Sequence, residues 1–230
     1  MVDVKANVQR VLGEIESAVH KAGRSPGSVT LVGVCKTVET ARILDALDAG
    51  VVHLGENKVQ EAAEKSFELR SRQHTLHMIG PLQKNKANKA AEIFDWIESV
   101  DDLDLARRLE RACERLNKTL PVLVQVNLGK EETKSGLSEE EVPEFLRQMA
   151  SLKMLSVRGL MTVPPYLEDP EAVRPYFRSL RKLAEKIGSS KLENISMMEL
   201  SMGMSHDFTV AIEEGATIVR VGSAIFGARH

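Results

Sequence analysis

Eight short runs rich in Val, Ile and Leu recur along this chain of 230 residues, and amphipathic segments rich in Glu, Lys, Arg and Ala separate them. Short apolar runs are typical of buried strands, and the longer segments have the spacing of helices. A helical crossover between consecutive strands makes neighbouring strands run parallel. The alternation therefore predicts a parallel βα-repeat protein, and it constrains the fold more than any other feature of the sequence.

The eight predicted strands are Val29–Lys36, Val51–Gly55, Thr75–Gly80, Trp96–Val100, Val122–Asn127, Leu155–Thr162, Met198–Ser201 and Thr217–Val221. The predicted helices between them are Thr40–Ala49, Lys58–Leu69, Asn85–Ile93, Asp102–Asn117, Glu139–Ser151, Pro170–Ile187 and Asp207–Glu213. An extra N-terminal helix over Val4–Ala22 precedes the first strand, and a short helix follows Gly222. A (β/α)8 barrel typically has about 250 residues. Eight such units in a chain of similar length favour a single (β/α)8 TIM-like barrel, with an open doubly wound sheet as the alternative. Because no Pro/Gly/Ser-rich linker interrupts residues 1–230, we expect one domain.

Composition narrows the function classes. A formal net charge of −2 gives no field to hold a polyanion or a membrane surface, and nine Phe, Tyr and Trp residues offer few platforms for bases. Two cysteines cannot form a disulfide framework, and the six histidines show no metal-ligand spacing. The N-terminus lacks the apolar core of a signal peptide, and no apolar run approaches the ~20 residues of a membrane span. We expect a cytoplasmic protein without a metal site that binds neither nucleic acid nor membranes.

Barrel active sites lie where the strands end, and the first predicted strand ends in Val34-Cys35-Lys36-Thr37. Strand alternation places Lys36 on the face of Val34, toward the barrel interior, and Cys35 on the opposite face. Two interpretations of Lys36 stay open: a rim lysine that extends its amine to water, or a partly desolvated amine with a lowered pKa that attacks a carbonyl. We interpret Cys35 as a small buried hydrophobic residue.

The turns after strands seven and eight combine glycine and serine where helices begin. Ser201 is the last residue of strand seven and Ser205 follows it, while Gly222 and Ser223 follow strand eight. Backbone N–H groups at helix N-termini bind phosphate, and these two loops are its usual place in barrels. Ordinary helix capping by the serine hydroxyls is the alternative. Two such turns together favour a phosphate site.

Arg220 shares its strand parity with Ile218, which predicts that its guanidinium enters the barrel mouth beside this phosphate site. A buried arginine needs an acceptor, and an ion pair with a barrel carboxylate such as Glu199 is the competing interpretation. A lysine, a phosphate cradle and an arginine at one mouth suggest a phosphorylated aldehyde held as a Schiff base. Pyridoxal 5'-phosphate (PLP) fits, with its pyridine nitrogen as the acceptor for arginine.

Several longer segments carry a resemblance to a known family. They are Val34-Cys35-Lys36-Thr37, Gly55–Glu61, His77–Lys86, Lys134-Ser135-Gly136, Gly159–Thr162, Glu199–Ser205 and the ending Val219–Arg229. From strand one to the last residues, they resemble the pyridoxal phosphate homeostasis protein family. This resemblance implies a barrel related to the N-terminal domain of bacterial alanine racemase. It also implies a cytoplasmic monomer that binds PLP, influences vitamin B6 and amino-acid balance, and has no established turnover reaction.

The resemblance also implies roles for individual residues. Lys36 corresponds to the Schiff-base lysine, and Arg220 to the residue that faces the pyridine nitrogen. The other implied cofactor-binding residues are Ser201, Gly222 and Ser223 at the phosphate, Asn57 beside the ring, and His77, Met202 and Gly203. Cys35 departs from the serine or threonine of many relatives, and its outward parity predicts little effect on binding.

A carrier and an enzyme remain the two function classes. An arginine opposite the pyridine nitrogen leaves the ring neutral, which weakens it as an electron sink. In the related racemases, a tyrosine from a C-terminal domain supplies the second base, whereas this sequence ends at His230 and its Tyr166 is better interpreted as a loop residue. We therefore expect a PLP carrier or regulator, with apo PLP-dependent enzymes as possible recipients. The alternative is a PLP-dependent enzyme such as an amino-acid racemase.

Overall fold

The computed structural model describes residues 2–129, 131, 135–188 and 192–228. Its eight strands close into one barrel in which each strand runs parallel to its neighbours, and the eighth pairs with the first. The closed barrel is therefore confirmed over the open sheet. Within the described residues, no helix is both long and apolar enough to cross a membrane.

The strands follow the predicted order along the chain. They are β1 (Thr30–Val34), β2 (His53–Glu56), β3 (Thr75–Met78), β4 (Trp96–Val100), β5 (Leu120–Val126), β6 (Leu155–Thr162), β7 (Ile195–Met204) and β8 (Ile218–Val221). The helices are α1 (Val4–Lys21), α2 (Thr40–Asp48), α3 (Val59–Leu69), α4 (Ala87–Ile93), α5 (Leu103–Leu116), α6 (Val142–Met149), α7 (Arg174–Gly188), α8 (Phe208–Glu213) and α9 (Ser223–Phe226). The predicted extra helix is α1, which packs against α2, α8 and α9.

Local chemistry explains several of these boundaries. The Asp3 carboxylate accepts the Ala6 N–H at 3.0 Å and begins α1, while Asp102 accepts the Leu105 N–H at 2.8 Å and begins α5. Asn117 ends α5 in the left-handed region at φ 48°. Such caps satisfy backbone groups that the helix itself leaves unpaired.

Three predicted elements differ from the structure in an informative way. β1 ends at Val34 instead of Lys36, because Thr37 adopts φ 61° and the chain turns there. The helix predicted over Pro170–Ile187 divides into a 3₁₀ turn over Pro170–Val173 and then α7, because Pro175 has no N–H to continue one helix. β7 is longer than predicted at both ends.

The apolar side chains form two separate cores. A small cluster of Val32, Leu123, Met161 and Ile218 fills part of the barrel interior, and a much larger core lies between the strands and the helices. Val32 lies inside and Cys35 lies in the outer core, so the predicted parity of β1 is confirmed. Since few apolar residues fill the interior, there is room there for polar side chains that must find partners.

Candidate functional site

Lys36 lies in the turn that directly follows β1, and its side chain is half-buried. The Cys35 N–H still donates to the Gly55 carbonyl at 2.9 Å, so the ladder to β2 extends one residue beyond β1. On its other side β1 pairs with β8, with Val32 opposite Arg220. Lys36 and the turn after β8 therefore lie next to each other at the carboxyl edge of the barrel.

Arg220 points into the barrel from β8 and is only 4% exposed. Its guanidinium donates to the Thr162 carbonyl at 2.7 Å and to the Ser201 hydroxyl. Among the described residues the nearest carboxylate oxygen is Oε2 of Glu98, 3.9 Å away, so the competing interpretation of a barrel carboxylate beside Arg220 holds for Glu98 and was wrong only in its example, Glu199. Glu199 instead accepts from the Thr217 hydroxyl at 2.6 Å. Burial lowers the pKa of Arg220, although an arginine stays protonated at physiological pH.

Glu98 is the central acceptor of the barrel interior, and our sequence analysis missed it. Its Oε1 accepts from His77 Nδ1 at 2.7 Å, and its Oε2 accepts from the Ser201 hydroxyl at 2.6 Å. Burial alone would raise the pKa of this carboxyl group, but the bond from His77 and the charge of Arg220 outweigh it and hold the pKa below the ordinary value. A carboxylate within the apolar run Trp96–Val100 was the signal in the sequence that could have revealed it.

His77 lies inside the barrel and is 1% exposed. Its ring stacks on Trp96 with centroids 5.6 Å apart, and its Nε2 lies 2.9 Å from His53 Nδ1. Because a carboxylate only accepts, His77 Nδ1 carries the proton toward Glu98. We call His53, His77, Glu98, Ser201 and Arg220 the interior polar chain. It links the first residue of β2 to the arginine near the end of β8.

The N-terminus of α9 is capped in this structure, as the alternative interpretation of the loops proposed. The N–H groups of Gly222 and Ala224 both donate to Ser205 Oγ, at 3.1 and 3.3 Å. Ser201 does not join them, because its position on β7 directs the hydroxyl into the interior polar chain. Ser223 is exposed at the first position of α9. These N–H groups thus converge on one oxygen acceptor.

Three other predicted site residues occupy different environments. The Met202 side chain is buried in the outer core, so it points away from the barrel interior. Gly203 follows it at φ +92°, and a Cβ there would lie 2.6 Å from Ala211 Cβ in α8. Asn57 follows β2 and is half-buried, and its carbonyl oxygen would lie 2.7 Å from a Cβ at Gly80. Glycines at these two positions allow the close approach of the neighbouring elements.

The structure thus brings Lys36, Arg220, Gly222 and Ser223 to one edge of the barrel, and it connects Ser201 to them through Arg220. Tyr166 is 75% exposed and contacts only the His206 ring among the described aromatic residues, with centroids 5.3 Å apart. Lys134, Arg229 and His230 lie outside the described residues. Among the described residues, no group of three or more His, Cys, Asp or Glu side chains could hold a metal ion.

Comparisons with known proteins agree with this geometry. The family model for the alanine racemase N-terminal domain matches residues 12–230. A pyridoxal phosphate homeostasis protein of Aquifex aeolicus is 43% identical over 222 residues, which cover 96% of each chain. The structure of PipY from Synechococcus elongatus with PLP bound superposes with a TM-score of 0.82 at 37% identity, covering 93% of this chain and all of that one.

An alanine racemase of Clostridium difficile shares the fold at a TM-score of 0.76 and 13% identity, over 97% of this chain and 60% of its own. At that identity, the likeness concerns the barrel fold alone. The predicted relationship to the racemase N-terminal domain is confirmed at that level. The full-length identity to curated relatives goes further, and together these findings place the chain in the family of pyridoxal phosphate homeostasis proteins, which is built on the alanine racemase N-terminal domain.

Proposed function

We propose that this protein binds PLP at the carboxyl end of its barrel and serves as a PLP carrier or regulator. The observation that carries the proposal is the buried guanidinium of Arg220. Arg220 belongs to β8, which pairs with β1, and Lys36 directly follows β1. The names of the relatives and the PLP-bound PipY structure support the same cofactor. The proposal extends to the whole of residues 1–230 as one functional domain.

The residues at this edge fit the three polar features of PLP, which are an aldehyde, a pyridine nitrogen and a phosphate. The two hydrogen bonds of Arg220 use two of its five N–H donors, so donors remain for a ring nitrogen. The Gly222 and Ala224 N–H groups converge on the Ser205 oxygen, and a phosphate oxygen is an equivalent acceptor. The amine of Lys36 is the group that can condense with the aldehyde.

The remaining assignments follow from these positions. The interior polar chain holds the guanidinium of Arg220 in place through Ser201 and Glu98, so that it donates to the ring nitrogen without yielding its proton. Gly222 and Ser223 bind the phosphate at the start of α9. Direct cofactor contacts of Ser201, Asn57, His77, Met202 and Gly203 remain predictions.

A carrier fits this site better than an enzyme. PLP supplies an electron sink when its ring nitrogen is protonated, and an arginine donor at that nitrogen keeps the ring neutral. We propose further that the protein acts as a monomer in the cytoplasm and that apo PLP-dependent enzymes are its recipients. The relatives are named pyridoxal phosphate homeostasis proteins, and that name supports the part of the proposal that concerns recipient enzymes.

The test is covalent trapping at Lys36. We expect borohydride reduction of the PLP-loaded protein to attach the cofactor to the peptide that contains Lys36, as located by mass spectrometry. Lys36→Ala should lose the visible absorbance and the label while keeping its circular dichroism. Lys89→Ala, which removes an exposed lysine paired with Glu92, is the control and should bind normally.

Labelling that persists in Lys36→Ala would contradict the proposed attachment. Exchange of the α-proton of alanine with deuterated solvent, present in the wild type and lost in Lys36→Ala, would contradict the carrier role and favour the racemase alternative.

A further inference from the structure

A cluster of charged side chains lies outside the barrel, directly behind the turn that holds Lys36. Lys65 of α3 donates from Nζ to three oxygens, each at 2.7 Å: the Cys35 carbonyl, Glu56 Oε1 and Glu61 Oε1. An ammonium group has three donors, so all three are in use. The Cys35 carbonyl belongs to the peptide group that precedes Lys36.

The peptide group that follows Lys36 is bound by the same cluster. The Thr37 N–H donates to Glu61 Oε1, the oxygen that also accepts from Lys65. Glu61 and Lys65 are four residues apart on α3 and therefore face the same side of the helix. Both peptide groups attached to the Cα of Lys36 are thus fixed by two side chains of one helix.

The turn would not adopt this conformation without help. Thr37 has φ 61°, a left-handed conformation that a β-branched residue rarely adopts. Such strain persists where the surroundings determine the backbone, and it is concentrated at functional sites. Here the hydrogen bonds to the backbone of Cys35 and Thr37 hold the turn in this conformation.

Burial and charge make the cluster stiff. The Glu56 and Lys65 side chains are only 2% and 12% exposed, and the Glu61 side chain is 20% exposed. Burial opposes the charge of Lys65, but the bonds to Glu56 and Glu61 outweigh it and raise the pKa of the ammonium group. Glu56 also accepts from the Cys35 thiol at 3.2 Å. Lys65 therefore stays charged and keeps its three bonds.

We propose that Glu56, Glu61 and Lys65, which we call the exterior clamp, position the amine of Lys36 by holding the backbone on both sides of it. They are positioning residues, because they lie on the helix side of the sheet and act through the peptide groups. This proposal rests on the proposed role of Lys36 in binding PLP. It assigns a function to residues of β2 and α3 that form no described hydrogen bond or ion pair with the interior polar chain.

The test combines a backbone readout with a cofactor readout. In Lys65→Met and Glu61→Ala, we expect the Thr37 amide to exchange its hydrogen at least about tenfold faster by NMR, since its acceptor is lost or loosened. PLP affinity by titration should fall about tenfold, with borohydride still labelling Lys36. Glu61→Gln keeps an acceptor oxygen and should restore both values to near wild type.

Two variants at exposed positions serve as matched controls, and both should behave as wild type. Glu64→Ala lies on the same helix outside the clamp, and Lys89→Met removes an exposed lysine. Unchanged Thr37 exchange in both clamp variants, or an equal change in Glu64→Ala, would overturn the proposal. If Lys65→Met does not fold, the Glu61→Ala and Glu61→Gln pair decides it.

The two proposals can fail separately. Wild-type protein that does not label at Lys36 would contradict the proposed function, while Thr37 exchange still reports on the clamp without any cofactor. Wild-type labelling together with unaltered PLP affinity in both clamp variants would contradict the clamp alone.

Discussion

The interior polar chain and the exterior clamp perform matching tasks on opposite faces of the sheet. The first holds the side chain of Arg220, and the second holds the backbone around Lys36. Two of the three clamp residues differ from the interior in access to water: Glu98 and Arg220 are 0% and 4% exposed, whereas the side chains of Lys65 and Glu61 are 12% and 20% exposed. Glu56, with a side chain that is 2% exposed, is as buried as the interior residues.

This difference decides what each cluster contributes. Inside the barrel Glu98 and Arg220 have almost no contact with water, so removal of one charge leaves the other buried without compensation. At Lys65 and Glu61 of the clamp, water can reach a broken hydrogen bond and limit the loss of stability. We therefore expect interior substitutions to affect folding first, and clamp substitutions to affect the placement of Lys36 first.

The largest expected effect is that of Glu98→Gln. The amide keeps the shape but removes the charge that compensates Arg220, so the free energy of unfolding should fall by about 3–5 kcal/mol. Urea denaturation at neutral pH measures it. Glu16→Gln, at an exposed position on α1, is the control and should change stability very little. A loss below about 1 kcal/mol would mean that the interior charges are effectively hydrated.

The pH dependence of stability should distinguish Glu98 of the interior polar chain from Glu56 of the exterior clamp by its sign. The pKa of Glu98 is lowered from 4.5, chiefly because the bond from His77 and the charges around it overcome burial. Its contribution is therefore present above pH 4.5 and is lost as the pH falls through the folded-state pKa. Glu98→Gln should accordingly lose less stability than wild type on acidification. The difference in the free energy of unfolding between the two proteins should therefore become smaller as the pH falls.

Glu56 should behave in the opposite way. Burial raises its pKa above 4.5, and within the described residues its Oε2 has no hydrogen-bond partner. Its contribution is present below pH 4.5 and is lost as the pH rises through the raised pKa. Glu56→Gln should therefore gain stability relative to wild type with rising pH. Urea titrations between about pH 3.5 and 7 would test both variants, and slopes of equal sign would refute the contrast.

The smallest expected effect concerns the strain at Thr37. A left-handed conformation costs a non-glycine residue roughly 1–2 kcal/mol, and glycine avoids this cost. Glycine also loses more conformational entropy on folding, which offsets about 0.5–1 kcal/mol of the gain. Thr37→Gly should therefore stabilise the protein by about 0.5–1 kcal/mol in thermal or urea unfolding. Asn117→Gly, at φ 48°, is the matched control with a smaller expected change, because asparagine tolerates this region. Destabilisation by Thr37→Gly would show that the turn is unstrained.

Much of the fold and part of the site could be predicted from local patterns. The alternation of apolar runs and amphipathic helices indicated eight βα units and a closed barrel. Period-two alternation placed Val32 inside, Cys35 outside and Arg220 toward the interior, because a strand fixes the face of each side chain locally. The motif segments of the sequence were sufficient to indicate the family.

The partners across the barrel could not be predicted in this way. Ser201 and Glu98 are 103 residues apart in sequence, and the stagger between strands decides which interior side chains meet at one level. For that reason Arg220 faces Glu98 instead of Glu199, and Ser205 instead of Ser201 caps α9. The clamp likewise depends on how α3 packs beside the end of β1. The sequence by itself determined the faces of Val32, Cys35 and Arg220 and which strand ends carry reactive groups. Only the tertiary structure decided the partners of these groups, because packing and stagger join residues that no local pattern relates.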